Sequence, residues 1–177
     1  MENSIKQMNH SMRRMRVDAM DLLQIYNLRD WKVHLKTLQQ WKEEGKIRYI
    51  DITTYNGLRH EELGEILRKQ PTDFVQFAYN IENHKTEQSL FPIARDKEIA
   101  TLINAPFQAG HLFRKIKRKQ LPDWAAEFDY SSWGQFFLKF IAAHEDVTCI
   151  IPATFKLKHM IDNMGAWFGR LPDEKMR

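Results

Sequence analysis

The sequence predicts an α/β fold built on a parallel sheet. Two observations carry this. Helix-period and strand-like segments alternate along the whole chain. Each strand is joined to the next through a helix, and such connections imply a parallel sheet with right-handed crossovers. No repeat at fixed spacing, low-complexity run or composition shift breaks the chain, so residues 1–177 read as a single domain.

Residues 4 to 16 form a basic, Met-rich helix, with Ile5, Met8, Met12 and Met15 on one core-packing stripe. "DLLQIY" is a short strand with Tyr26 at its C-terminal end. From Trp31 to Glu44 a helix turns Leu35, Leu38 and Trp41 inward, and Gly45 sits where a left-handed glycine ends a helix. "KIRYIDITTY" is a second strand, "HEELGEILRK" an amphipathic helix and "DFVQFAYN" a third strand. "TEQSLFPIARDKE" is helical, with Pro92 tolerated only near its start. "IATLINAPF" is a fourth strand, and "QAGHLFRKIKRKQLPDW" a looser basic connection. "SSWGQFFLKFIAAHED" is a long helix that Ser131 or Ser132 caps. "VTCIIPAT" is a fifth strand, "LKHMIDNMGAWFG" a terminal helix and "RLPDEKMR" a tail.

Composition excludes several classes. No run of about 18 apolar residues exists, so no membrane helix is expected. "MENSIKQMNHSMRRM" lacks the apolar core of a signal peptide. Cys149 stands alone, which rules out an internal disulfide and argues for a reducing, cytoplasmic setting. The histidines show no HxH or HxxxH spacing, so no metal site is expected. A net charge of +4 suits a phosphate-bearing ligand but is too mild to indicate nucleic acid.

"SMRRMRVDAMDLLQIYN", "LQQWKEEGKIRYIDITTYN", "DFVQFAYN", "VTCIIPAT" and "GRLPDE", in that order, resemble the aldo/keto reductases. The resemblance implies a (β/α)8 barrel that reduces aldehydes and ketones with NADPH. Complete barrels of this kind need about 250 residues or more. The expectation is therefore a partial barrel of about five parallel strands with flanking helices, beginning at the helix before barrel strand four. The family's catalytic tyrosine, lysine and aspartate have no matching positions here. Its catalytic histidine matches Tyr26, whose phenol can donate a hydrogen bond but replaces imidazole poorly. Read by itself, Tyr26 is a packing residue at a strand end.

The resemblance also implies a cofactor-binding set. Thr53 and Thr54 match the hydroxyl and amide residues that hold the nicotinamide carboxamide, and Gln76 matches the glutamine that completes that contact. An amide suits an amide, since each offers a donor and an acceptor; otherwise Gln76 is a barrel-lining glutamine. Asn104 stands where many relatives stack an aromatic ring on the nicotinamide. Thr154 and His159 fall in the segment that grips the adenosine phosphate, where Ala153 replaces a common lysine. Asp162 and Asn163 match the pair that meets adenine. Lys156 and Lys158 read as solvated lysines at a helix start, and "RKIKRK" as an exposed basic face that could also meet a pyrophosphate.

Asp51 departs from the family's glycine. In a closed barrel it would cost several kcal/mol unless paired, so the expectation is a solvated carboxylate on an open sheet. These residues together predict weak NADP binding at best and no carbonyl reduction by this chain alone. A small carbonyl substrate would enter only if the barrel were completed. The competing reading is a non-catalytic module that binds a dinucleotide or another protein. Open edges at "DLLQIY" and "VTCIIP", and a bare patch at Leu22, Phe74, Ala78 and Leu102, predict a homo-oligomer or pairing with a missing N-terminal half. No membrane partner is expected, and nucleic acid is disfavoured because "RKIKRK" lacks interleaved aromatics.

Overall fold

The computed structural model describes residues 2–55, 57–173 and 176. Residues 174, 175 and 177 of the expected tail lie outside them. Five strands form one sheet in the order β1 (Met20–Ile25), β2 (Ile47–Thr53), β3 (Phe74–Ala78), β4 (Ala100–Asn104), β5 (Cys149–Ile150). Every neighbouring pair is parallel. The helices are α1 (Glu2–Met15), α2 (Trp31–Glu43), α3 (His60–Lys69), α4 (Leu90–Asp96), α5 (His111–Lys115), α6 (Trp133–Ala142) and α7 (Leu157–Gly165).

Local chemistry sets the helix ends. α2 stops because Gly45 takes φ +71, and its N–H and that of Lys46 close back on Lys42 and Trp41 carbonyls at 3.1 and 2.9 Å. α3 carries Glu61 and Glu62 in its first turn and Arg68 and Lys69 in its last, matching the helix dipole at both ends. Pro92 falls in the first turn of α4, where no N–H is needed. Ser132 caps α6, its Oγ accepting from the Gln135 N–H at 3.1 Å.

The pleat sorts side chains to two faces. Ile25, Ile50, Ile52, Val75, Phe77, Ile103 and Ile150 face the helices and are buried with Leu35, Leu38, Trp41, Leu63, Leu67 and Phe91. Each such side chain contributes about 1.5–3 kcal/mol by leaving water. The opposite face carries Leu22 and Gln24, then Tyr49, Asp51 and Thr53, then Phe74, Gln76 and Ala78, then Leu102 and Asn104, held level by the register.

The structure differs from the sequence expectations at particular points. β5 shrinks to Cys149–Ile150, because after Ile151 the chain leaves β4 for the turn that starts α7. Met15 ends the α1 stripe in solvent, while Met8 is buried. Tyr26 is no packing residue: it lies in the 3-10 turn Tyr26–Leu28, 64% exposed, because the chain turns away from the sheet there and buries Leu28 instead. Asp51 is not solvated but fully buried, enclosed by the strands on either side. Ala78 is buried and Leu22, Phe74 and Leu102 half-buried, so the expected bare patch is narrower than the pattern suggests.

Candidate functional site

A cavity of about 920 Å³ opens at the C-terminal ends of β3 and β4 and runs to the start of α7. Strand ends are where parallel α/β folds place ligands. One wall is aromatic: Phe107 lies 5.0 Å from Phe113, and Phe113 and Trp133 each pack on Phe137, at 5.6 and 5.8 Å. Ile116 reaches the same wall from the basic loop, whose Lys119 carbonyl accepts from Trp133 Nε1 at 3.0 Å. Arg114, Lys115, Lys117, Arg118 and Lys119 are exposed, and Lys115 is held by Glu82 at 2.7 Å.

The polar end is built by the sheet. Gln76 and Asn104 line the cavity. Gln76 Oε1 accepts from Gln24 Nε2 at 2.8 Å, which leaves the Gln76 N–H2 facing the cavity as a donor. Asn104 does the reverse. Its Nδ2 donates to the Thr54 carbonyl at 3.0 Å, and its Oδ1 is buried without a partner among the described residues. A free donor beside a free acceptor is the complement of a primary carboxamide.

The far end joins α6 to α7. Asp162 accepts from Ser132 Oγ at 2.7 Å and from Gln135 Nε2 at 3.1 Å. The approach depends on missing side chains. A Cβ on Gly134 would lie 3.0 Å from Asp162 Oδ2, and one on Gly165 only 2.4 Å from Gln135 Nε2. Ala153, Thr154, His159 and Asn163 complete this end, and among the described lining residues His159 is the one that can carry positive charge.

Of the residues the sequence singles out, Gln76, Asn104, Thr154, His159, Asp162 and Asn163 therefore share one cavity. Thr53 and Thr54 do not line it: both are buried, with hydroxyls that have no partner among the described residues, and Thr53 is in register with Gln76. Tyr26 lies apart, lining a separate depression between α1 and α2. Sequence reasoning did not point to Tyr55, Phe107, Phe113 or Trp133 as cavity residues. Their only signal was aromatic residues just past strand ends. Gln24 and Asp51 stand behind Gln76, and burial pushes the Asp51 carboxyl up to about 7 against the pull of the Gln24 hydrogen bond. No cluster of three or more metal-ligating side chains occurs among the described residues, and no helix there is long and apolar enough to cross a membrane.

The comparisons with known proteins agree on one family. The model of the aldo/keto reductase family matches residues 1–177. An NADH-specific methylglyoxal reductase of Escherichia coli (strain K12) is 31% identical over 88 residues, 50% of this chain and 26% of that protein. The aldo-keto reductase YhdN of Bacillus subtilis (strain 168) is 25% identical over 119 residues, 63% of this chain and 34% of its own length. Among solved structures, the holo form of an aldo-keto reductase from Bacillus halodurans superposes with a TM-score of 0.77 at 18% identity, covering 97% of this chain and 63% of its own. An aldo/keto reductase from Klebsiella pneumoniae in complex with NADP and acetate gives 0.73 at 18%, covering 95% and 60%. The chain thus spans less than two thirds of the length of each of these proteins. Five parallel strands with outer helices, superposing on those reductases, make a partial (β/α)8 barrel. With a family match along its whole length, the chain belongs to the aldo/keto reductase family.

Proposed function

We propose that this chain binds a nicotinamide dinucleotide of the NADP type weakly and does not by itself reduce carbonyl compounds. The observation that carries the reading is the split of the expected site. The dinucleotide-binding positions Gln76, Asn104, Thr154, His159, Asp162 and Asn163 share a cavity, while Tyr26, at the family's histidine position, stands outside it. The cavity suits the group at its carboxamide end, where Asn104 Oδ1, unpartnered among the described residues, takes a donor and the Gln76 N–H2 takes an acceptor. The phosphate end is poorer, because no lysine or arginine lines it among the described residues and Lys156 and Lys158 are exposed beside it. Bound NADPH would supply a hydride; the chain's own part is to hold the carboxamide and exclude water with its aromatic wall. The lone Cys149 supports a reducing cytoplasm as its setting. A completed barrel would extend this to reduction of a small carbonyl compound, for which methylglyoxal is the natural first test given the Escherichia coli relative.

The test uses tryptophan fluorescence, since Trp133 lines the cavity. NADPH should quench it with a dissociation constant above about 10 μM, equivalent to roughly −7 kcal/mol, and Gln76→Ala should weaken this severalfold. NADPH with methylglyoxal should show no loss of absorbance beyond the protein-free rate. Sub-micromolar binding, or turnover that Gln76→Ala abolishes, would refute the reading.

A further inference from the structure

Asp51 is a carboxylate with no cation beside it among the described residues, fully buried one strand away from the cavity's polar end. It connects to that end through one nitrogen. Gln24 Nε2 donates to Asp51 Oδ2 and also to Gln76 Oε1, the second at 2.8 Å, so both hydrogens of one amide group are engaged. The register holds the relay in place, with Gln24 opposite Asp51 and Thr53 opposite Gln76.

The chemistry of the three groups allows two self-consistent arrangements. An ionised carboxylate only accepts, so Gln24 must present its N–H2 to it. The other hydrogen of that group takes Gln76 Oε1, and Gln76 then shows N–H2 to the cavity. Protonated on Oδ2, the oxygen that meets Gln24, Asp51 instead donates. Gln24 turns its amide over, and its Oε1, at the same place, accepts from the Asp51 hydroxyl and from Gln76 Nε2. Gln76 has then inverted as well and shows its oxygen to the cavity.

We propose that Asp51 is a positioning residue that sets, through Gln24, which end of the Gln76 amide faces the cavity, and thereby admits or rejects a carboxamide ligand. The ligand part rests on the dinucleotide reading given above. Asn104 makes the choice matter. Its Nδ2 is fixed on the Thr54 carbonyl, so it offers only an acceptor. A primary carboxamide that gives its N–H2 to Asn104 has its carbonyl left for Gln76, which must then be a donor. Ionised Asp51 enforces that arrangement, and protonation on Oδ2 reverses it.

The surroundings leave the carboxyl free to titrate. Burial lifts it to about 7, so both forms are populated near neutral pH. On the concave face β1 brings Leu22 and Gln24 and β3 brings Phe74 and Gln76, none titratable. Tyr49 is the titratable neighbour on that face of β2, and Tyr26 lies in the turn beyond β1. The charges on the opposite face are engaged with each other: Arg48 with Asp21 at 3.1 Å, and Lys42 of α2 with Asp73 at 2.5 Å.

Two measurements on the full chain test this. In the ligand-free protein, the side-chain amide NMR signals of Gln24 and Gln76 should move together with a midpoint near 7. Asp51→Asn should abolish that step. Binding of NADP+ should weaken by about tenfold per pH unit below the midpoint, the limiting slope for one required deprotonation. The same dependence should be absent in Asp51→Asn, which keeps every other group of the cavity and so serves as the reference. Adenosine 2′,5′-bisphosphate, lacking the carboxamide, should bind wild type and variant with the same pH profile. Amide signals that do not follow Asp51 overturn the relay even if NADP+ binds. Amide signals that follow it while NADP+ affinity does not overturn the coupling to ligand. If the amides follow Asp51 and NADP+ binds at no pH, the dinucleotide reading fails and takes the ligand half of the proposal with it, while the relay itself stands.

Discussion

Asp51 and Lys139 are both fully buried, and their environments treat their charges differently. Burial disfavours the ionised form of Asp51, which has one side-chain amide donor and an Oδ1 without a side-chain partner among the described residues, and raises its pKa from 3.8 to about 7. The folded state therefore binds a proton more tightly than the unfolded chain. That stabilisation is fully present below about pH 4 and is lost as pH rises toward 7, beyond which the curve is flat. The full shift corresponds to at most about 4 kcal/mol. Urea denaturation of Asp51→Asn should show this slope removed and a midpoint at pH 8 above that of wild type; an unchanged slope would mean the carboxylate is hydrated. Lys139 is instead held by the Phe128 and Arg170 carbonyls at 2.6 and 3.1 Å, with the Tyr130 ring 5.4 Å from its Nζ. Burial lowers its pKa, but two acceptors keep the ammonium in place. Lys139→Met should cost roughly 2–4 kcal/mol by leaving both carbonyls unpaired, read as a lower denaturation midpoint. Neither role was legible in the sequence. The departure from glycine at Asp51 was visible, but its burial depends on strands that lie 27 residues apart, Gln24 to Asp51. In "FFLKFIA" nothing local distinguishes Lys139 from a solvated helix lysine.

At the scale of elements the sequence was more informative, because helices and strands announce themselves by period and by their ends. "HEELGEILRK" coincides with α3, and Gly45 closes α2 as its position implied. Strand β5 is shorter than its sequence suggests: "VTCIIPAT" has the composition of a strand, but only Cys149–Ile150 pair with β4. Composition reports what suits a sheet, and not whether a neighbour continues. The contact between α6 and α7 shows the same limit. Nothing in "NMGAW" marks Gly165 as a close approach, yet a methyl group there would strike the Gln135 amide that holds Asp162 at 3.1 Å. Gly165→Ala should displace that amide and cost about 1–3 kcal/mol as a case of overpacking. Hydrogen exchange in α7 should quicken, while α2 and α3 keep their protection. Equal loss everywhere would show that α7 is not a separable unit.

The whole molecule carries an open sheet. β1 and β5 are its edges, and Leu157, Met160, Ile161, Met164, Trp167 and Phe168 stand exposed along and just beyond α7. Monomeric proteins rarely leave such a surface bare, and parallel edges accept further strands. We expect a homodimer or larger assembly, or a stable complex with a polypeptide that supplies further strands. Light scattering should give a mass above 21.2 kDa at micromolar concentration. A monomer with β1 and β5 both protected from exchange would show that the chain shields its own edges. The order of the sheet has a consequence for biosynthesis. Because the spatial order of strands repeats their order in the chain, every strand after the first meets its neighbour already made. A ribosome can thus build this sheet as it translates, one helix and strand at a time, with no early segment waiting for a late one. A chain truncated after Lys119 holds β1 to β4 in their final order, and limited proteolysis of chains truncated after successive strands should find a protected sheet that lengthens stepwise.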